Sequence, residues 1–431
     1  MPSKELENSI KYLLATWSKE RAEEVELMSK IRYSGISFGV EEYTNLMDAL
    51  FTDWWSGGQY TIKAERAVAE MCQRNHALLF NSGSTANLAL MLAARELYFK
   101  DGDKVLTLAC GFPTTVNPII HAGLTPVFAD VSLSDLSLNP DLLNSVEDVR
   151  GIFIPHTLGF YGDIDALLDK AREKGIYVFY DACDAYGTYY KGKPVTHYGK
   201  AATLSFYVAH HLSCGEGGGV VTNDNKLYTV MRGIRNWGRY CSSPECCVRS
   251  IDPESFCPPT KYTTDSEVPD DYMVNYQFEW MGYNLKPLEI QAAILLAQIP
   301  KLQRYNKTRI ENYNHLNAQM KLYEDTFFTW TIPSDVSPFS YPFIISPKAK
   351  FKRKHLLDFL RRNKIEARMI FGGNLLRHPA YGRYKNCACQ ALSNSDAIIE
   401  RGMMLGCSHV ISRKSMEYVC DKITEFMKTY E

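Results

Sequence analysis

HALLF (76–80), KVLTLA (104–109), TPVFADV (125–131), GIFIPHT (151–157), YVFYDAC (177–183), TLSFYVA (203–209) and GGVVT (218–222) are short β-branched or aromatic runs separated by helix-length amphipathic stretches. That alternation predicts an α/β domain built on a mostly parallel sheet. Such sheets bind ligands in the loops at the carboxyl ends of their strands. The residues immediately after each run are therefore the places to search.

Outward from this block, residues 1–50 read as an N-terminal helical segment, and 51–300 as the large α/β domain. Residues 239–276 carry five prolines, four cysteines and no sustained period, which marks an insertion in that domain. The stretch from 285 to 320 has apolar residues at helical spacing and is long enough for one or two helices. Residues 301–431 mix strand-like SYPFIIS with helical FKRKHLLDFLRRNKI and a terminal amphipathic stretch, predicting a smaller C-terminal α+β domain.

Among the 431 residues, Lys plus Arg total 48 against 49 for Asp plus Glu, so charge gives no reason to expect nucleic acid or an anionic membrane as partner. The N-terminus lacks the basic-then-apolar order of a signal peptide, and no run approaches the roughly 18 to 20 apolar residues of a membrane span. A cytoplasmic protein handling small molecules is the expectation. Twelve scattered cysteines suit reduced thiols better than a disulfide framework.

Three constellations follow the runs. Asn81-Ser82-Gly83-Ser84-Thr85-Ala86-Asn87 opens a helical stretch, where small residues offer bare N–H groups and the positive end of the helix dipole to a phosphate. The same residues also suit a simple N-cap by Ser82 or Ser84. Asp181, at the end of IYVFY, suits either a cationic ligand such as a protonated ring nitrogen or a helix cap. His210 and His211, followed by Gly215-Glu216-Gly217-Gly218-Gly219, suggest close backbone approach to a ligand, against a structural histidine pair.

Taken together, and with GFPTTVNP (111–118), HTLG (156–159), NWGR (236–239) and GYNLKPLEIQAAILLAQI (282–299), these motifs resemble the DegT/DnrJ/EryC1/StrS sugar aminotransferases over nearly the whole chain. Within that group the likeness is greatest to the nucleotide-linked 4-keto-6-deoxyhexose 3-dehydratases. The resemblance implies the type I fold of pyridoxal phosphate-dependent transferases, with a large domain on a mostly parallel seven-stranded sheet. It also implies a homodimer with shared sites. Asp181 would pair with the cofactor's pyridine nitrogen, Phe112 would stack on the ring, and Asp184 would approach the ring hydroxyl. Gly83, Ser84 and Ser205 would hold the phosphate, with Asn284 reaching the phosphate of the neighbouring subunit.

His210 stands where an aminotransferase has its cofactor-binding lysine. A lysine both anchors the cofactor covalently and moves protons; an imidazole can only move protons. The implied resting cofactor is therefore non-covalent pyridoxamine 5′-phosphate, with His210 as a base of near-neutral intrinsic pKa, and the implied outcome is loss of the sugar 3-hydroxyl rather than amine transfer. The products would be 3-deoxy or 3,6-dideoxy sugar precursors, as for lipopolysaccharide O-antigen. Cys241, Cys246, Cys247 and Cys257 fall within 17 residues after NWGR. Iron–sulfur members of this group hold a 2Fe–2S cluster at that place, fed by a flavin or iron–sulfur reductase. The pattern departs from theirs, since Ser243 occupies the second cysteine place and Cys246 and Cys247 are adjacent, which leaves a plain cysteine-rich loop or a zinc site as alternatives. Two other readings are a cluster-free dehydratase that regenerates its cofactor from glutamate and an inactive binding protein of the same fold. Arg368, Asn374 and Arg377 suit sugar-nucleotide contacts by location, against exposed arginines on a helix-flanking loop, and Gly57, Gly58 and Gln59 match the segment near the substrate in related enzymes; the nucleotide itself is not legible.

Overall fold

The computed structural model describes residues 4–26, 30–52, 54–239, 267–269, 272 and 276–430. All seven runs become strands: β1 (His76–Phe80), β2 (Lys104–Leu108), β3 (Thr125–Ala129), β4 (Val149–Pro155), β5 (Tyr177–Asp181), β8 (Ala201–Ser205) and β9 (Gly218–Thr222). A small hairpin, β6 (Tyr189–Tyr190) with β7 (Lys193–Pro194), lies between β5 and β8. The seven strands form one sheet in the order β1-β9-β8-β5-β4-β2-β3. Only β9 runs against its neighbours; the other pairings within the block β8-β5-β4-β2-β3 are parallel.

The runs are continuously apolar because both faces of the sheet are covered. Alternate residues of β5 show the two sides. Tyr177 and Phe179 join Leu78, Val105 and Phe153 against α4 (Gly83–Tyr98) and α7 (Asn225–Arg235). Val178 and Tyr180 join Leu106, Ile152 and Ile154 on the side of α3 (Gln59–Met71) and α6 (Ile164–Glu173). By the same period of two, Asp181 falls on the α4 side. It ends the central strand, opposite Pro155 at the end of β4 and Thr203 in the middle of β8. The helix α5 (Pro113–His121) begins beyond β2 on the same edge.

α1 (Lys4–Glu26) and α2 (Val40–Leu50) carry the N-terminal segment, and Trp17 meets Tyr43 edge-on at 5.2 Å. Residues 30–39 between them are not helical, because their backbone groups go elsewhere. Ile31 donates its N–H to Lys364 O at 2.9 Å, and its carbonyl accepts from the Glu366 N–H at 2.9 Å. The N-terminal segment thereby reaches β12 (Ala367–Arg368), an edge of the second sheet. That sheet is antiparallel, in the order β10 (Phe327–Thr329), β11 (Tyr341–Ile345), β13 (Gly402–Leu405), β12. It is accompanied by α10 (Arg353–Arg362), α11 (Ser393–Arg401) and α12 (Arg413–Lys428).

Residues 285–320 form two helices, α8 (Glu289–Gln298) and α9 (Leu302–Met320), joined by a short 3-10 turn at Ile299–Lys301. Pro300 in that turn cannot donate the N–H that a continuous helix needs. No helix among the described residues is long and apolar enough to cross a membrane.

Candidate active site

The phosphate-type turn after β1 is built by Ser82. Its hydroxyl accepts the Thr85 N–H at 3.1 Å and its own N–H reaches Thr85 Oγ1 at 3.2 Å, while Thr85 donates to Asn81 Oδ1 at 2.6 Å. Ser82 is the cap of α4, which leaves Gly83 and Ser84 as its first residues. A methyl group on Gly83 would lie 2.7 Å from Ser205 Cβ, and one on Gly218 would lie 2.2 Å from the Ser82 carbonyl. The glycines therefore let the helix start, the end of β8 and the start of β9 converge. Ser84 is exposed and bonds Thr114 Oγ1 at 3.1 Å.

Asp181 is 7 % exposed. Its Oδ2 accepts from Asn87 Nδ2 at 2.8 Å and from Thr115 Oγ1 at 2.7 Å, and its Oδ1 accepts from the Cys183 N–H at 3.2 Å. Asn87 lies one turn along α4 from Gly83, and Thr115 sits in the first turn of α5. The carboxylate is thus tied to both helix starts. Phe112, the residue before α5, is 52 % exposed and meets Phe371 edge-on at 6.0 Å.

Asp184 is less well served. Its Oδ2 accepts one peptide N–H, from Leu158, at 3.2 Å, and its Oδ1 lies 3.5 Å from His210 Nδ1 without hydrogen-bond alignment. Burial, reinforced by the charge of Asp181, pushes its carboxyl up to about 8. Burial, reinforced by the Arg309 guanidinium, pushes His210 down to about 3. Near neutral pH this leaves a protonated acid facing an uncharged imidazole. The imidazole sits in the turn after β8, where the His210 N–H bonds Tyr207 O at 3.0 Å, and its ring lies 5.1 Å from that of Phe339. His211 is fully buried, with Nε2 3.2 Å from Ser337 O, and has a packing role.

A phosphate-bearing pyridine cofactor suits these residues. The start of α4 offers peptide N–H groups over a position where no side chain fits beside Ser205, and a buried, fixed carboxylate closes the central strand. Asn284 is exposed at the rim of the turn, where its neighbour Leu285 accepts the Asn81 N–H at 3.0 Å.

The other positions singled out in the sequence are occupied differently. Gly58 caps α3, and its N–H bonds the buried Glu289 carboxylate at 2.5 Å, as the N–H groups of Tyr60 and Thr61 also do. Gly57 has a positive φ of 59° and lies buried before it. Asn374 and Arg377 both bond Asp396, at 2.7 Å for the amide and 2.6 and 2.8 Å for the guanidinium. Arg368 bonds Glu366 and covers the Tyr33 ring at 4.9 Å. Cys241, Cys246, Cys247 and Cys257 lie outside the described residues, and among the described residues no group of three or more His, Cys, Asp or Glu is placed to hold a metal. Sequence reasoning missed Asn87, Thr115, Arg309 and Glu289. Asn87 carries a signal: it is a lone amide inside the apolar helix run ANLALMLAA.

The model of the DegT/DnrJ/EryC1/StrS aminotransferase family matches residues 37–424. The dTDP-4-dehydro-2,6-dideoxy-D-glucose 3-dehydratase of Saccharopolyspora spinosa is 33 % identical over 92 % of this chain and 86 % of its own length. The lipopolysaccharide biosynthesis protein RfbH of Salmonella typhimurium is 31 % identical over 99 % of both chains. Among solved structures, GDP-4-keto-6-deoxymannose-3-dehydratase with a trapped PLP–glutamate geminal diamine superposes with a TM-score of 0.80 at 24 % identity, over 91 % of this chain and 99 % of that one. At that identity the likeness establishes the fold, that of the pyridoxal phosphate-dependent aminotransferases.

Proposed function

The chain belongs to the DegT/DnrJ/EryC1/StrS aminotransferase family, and from that membership we propose that it is a pyridoxamine 5′-phosphate-dependent dehydratase removing the 3-hydroxyl of a nucleotide-linked 4-keto-6-deoxyhexose. The observation that carries the reading is an imidazole, His210, in the turn after β8, held uncharged beside Asp184. Relatives named as 3-dehydratases, one of them 33 % identical, support it.

When bound, the cofactor supplies an amine that condenses with the sugar ketone and a ring that accepts electrons. Gly83, Ser84 and Ser205 bind its phosphate, Phe112 covers a ring face, and Asp184 approaches the ring hydroxyl. Asp181, fixed by Asn87 and Thr115, keeps the pyridine nitrogen protonated. His210 takes the proton from the cofactor's C4′ carbon. Lacking an amine, it could not anchor the cofactor covalently, so the proton it moves would serve loss of the sugar 3-hydroxyl rather than amine transfer.

Two finer assignments accompany this. Asn284 completes the site of a second subunit in a homodimer. Phe278, Met281, Tyr283 and Leu288, close to it in sequence, and Trp55, whose carbonyl accepts the Glu289 N–H at 2.8 Å, are exposed apolar side chains that a second copy would cover. The second, a 2Fe–2S cluster on Cys241, Cys246, Cys247 and Cys257 served by a reductase, rests on the sequence alone, the alternative being cluster-free turnover with glutamate restoring the cofactor. Iron content and brown absorbance of anaerobically purified protein decide between these two.

The deciding test offers pyridoxamine 5′-phosphate with CDP-, GDP- and dTDP-linked 4-keto-6-deoxyhexoses and reads the sugar by mass spectrometry. Loss of the 3-oxygen is expected with one of them. Amino-sugar formation, or no conversion of any, overturns the reading. His210→Lys should gain a covalently held, yellow pyridoxal phosphate; a colourless variant would show that position 210 does not face the cofactor.

A further inference from the structure

We propose that Arg309, in helix α9, is the positioning residue for His210, fastening the backbone on both sides of the imidazole and holding a fixed positive charge beside it. The inference rests on the reading of His210 as the base.

Arg309 is 0 % exposed. Burying a guanidinium costs several kcal/mol unless its charge and donors are matched, and a carboxylate is the usual match. Among the described residues no carboxylate bonds it. Nη2 donates to His210 O at 3.1 Å and Ala209 O at 3.5 Å, and Nη1 donates to Phe339 O at 3.0 Å and Pro338 O at 3.4 Å. Nη2 also lies 3.5 Å from Ser408 Oγ, and the Nε–H has no partner. The carbonyls so gathered belong to the residue bearing the base, the residue before it, and the residue whose ring lies 5.1 Å from the imidazole. Ser34 adds a hydroxyl to Ala209 O at 2.9 Å from the N-terminal side. One rigid fork therefore fixes both the turn that presents His210 and the aromatic wall beside it.

The charge matters separately. Peptide carbonyls solvate a cation without neutralising it. The groups around it are Asp184, Cys407, His409, His210 and His211, and Tyr207 lies at 6.5 Å from the His210 ring. Repulsion from Arg309 adds to burial in lowering all three histidines. An imidazole opposed in this way begins each turnover uncharged, at a cost in intrinsic basicity that makes its exact placement by the fork the larger contribution.

The test uses the full-length, cofactor-free protein and its Arg309→Gln and Arg309→Lys variants. Deuterium exchange at the imidazole C2 carbon is followed against pH, with tandem mass spectrometry separating His210 from His211. Wild-type His210 should titrate about two units or more below the ordinary value of about 6.5. In Arg309→Gln the midpoint should rise by about one unit or more. In Arg309→Lys, which keeps the charge and loses the fork, it should stay low while kcat for dehydration falls about tenfold or more and KM changes less than about threefold. A merely structural arginine would lower thermal stability in both variants without separating them in this way. A wild-type midpoint near about 6.5, or an unmoved midpoint in a folded Arg309→Gln, overturns the proposal. Should Arg309→Gln fail to fold, the wild-type titration and the Arg309→Lys split decide. If no sugar is dehydrated but the midpoints move as stated, the dehydratase reading fails and the placement of Arg309 stands.

Discussion

Asp181 and Asp184 are three residues apart at the end of one strand, and their surroundings are opposite. Asp181 accepts three hydrogen bonds drawn from α4, α5 and its own turn. Asp184 accepts one and faces a buried imidazole. The first carboxylate has its direction set before any ligand arrives. The second is starved of donors and pushed toward its neutral form. The same side chain is thus fixed in direction at one position and left short of donors at the other, according to how many donors each has been given.

Four experiments break or sharpen that contrast. His210→Asn should lower dehydration by about 100- to 10 000-fold, the usual worth of a positioned base, while cofactor binding changes little; undiminished turnover removes the base from the Asp184 side altogether. Asp181→Asn should weaken binding of pyridoxamine 5′-phosphate roughly 10- to 100-fold, since it forfeits a charge-assisted contact of about 1.5–3 kcal/mol, read by fluorescence titration. Equal affinity would show that the well-served carboxylate is structural.

The third is a matter of sign. Asp184, raised in the folded protein, contributes stability that is full below the unfolded value of about 3.9 and is lost as pH rises toward about 8. His210 is lowered, so its contribution is full above about 6.5 and is lost as pH falls toward about 3. Thermal melting of cofactor-free Asp184→Asn should therefore gain on wild type from pH 5 to 8, and that of His210→Asn should gain on it from pH 6 to 4. Each slope is at most about 1.4 kcal/mol per pH unit. Parallel curves would mean that neither group is perturbed. Smallest, Thr115→Val removes one of the Asp181 donors and should cost about fivefold in cofactor affinity, near 1 kcal/mol. No change would mean that Asn87 alone sets the carboxylate.

The strands were legible because a sheet covered on both faces demands unbroken apolar runs, and HALLF through GGVVT supply them. Their spatial order and the reversal of β9 were not, since no local pattern encodes which run neighbours which. At the site, Gly83, Asp181 and His210 could be found because each ends a run. Thr115 and Arg309 could not: they act through partners 66 and 99 or more positions away. That Asn374 and Arg377 both bond Asp396, across 22 and 19 positions, is a pairing that only folding reveals.

Because Ser34, Arg309 and Ser408 all converge on the turn of residues 209–210 or on its clamp, the base draws its setting from nearly the whole length of the chain. On a ribosome the seven strands are complete by residue 222, but the loop that presents His210 must wait for β13 and the segment that follows it. The helix starts around Asp181 therefore come together early in the life of each molecule, and the final setting of His210 comes last.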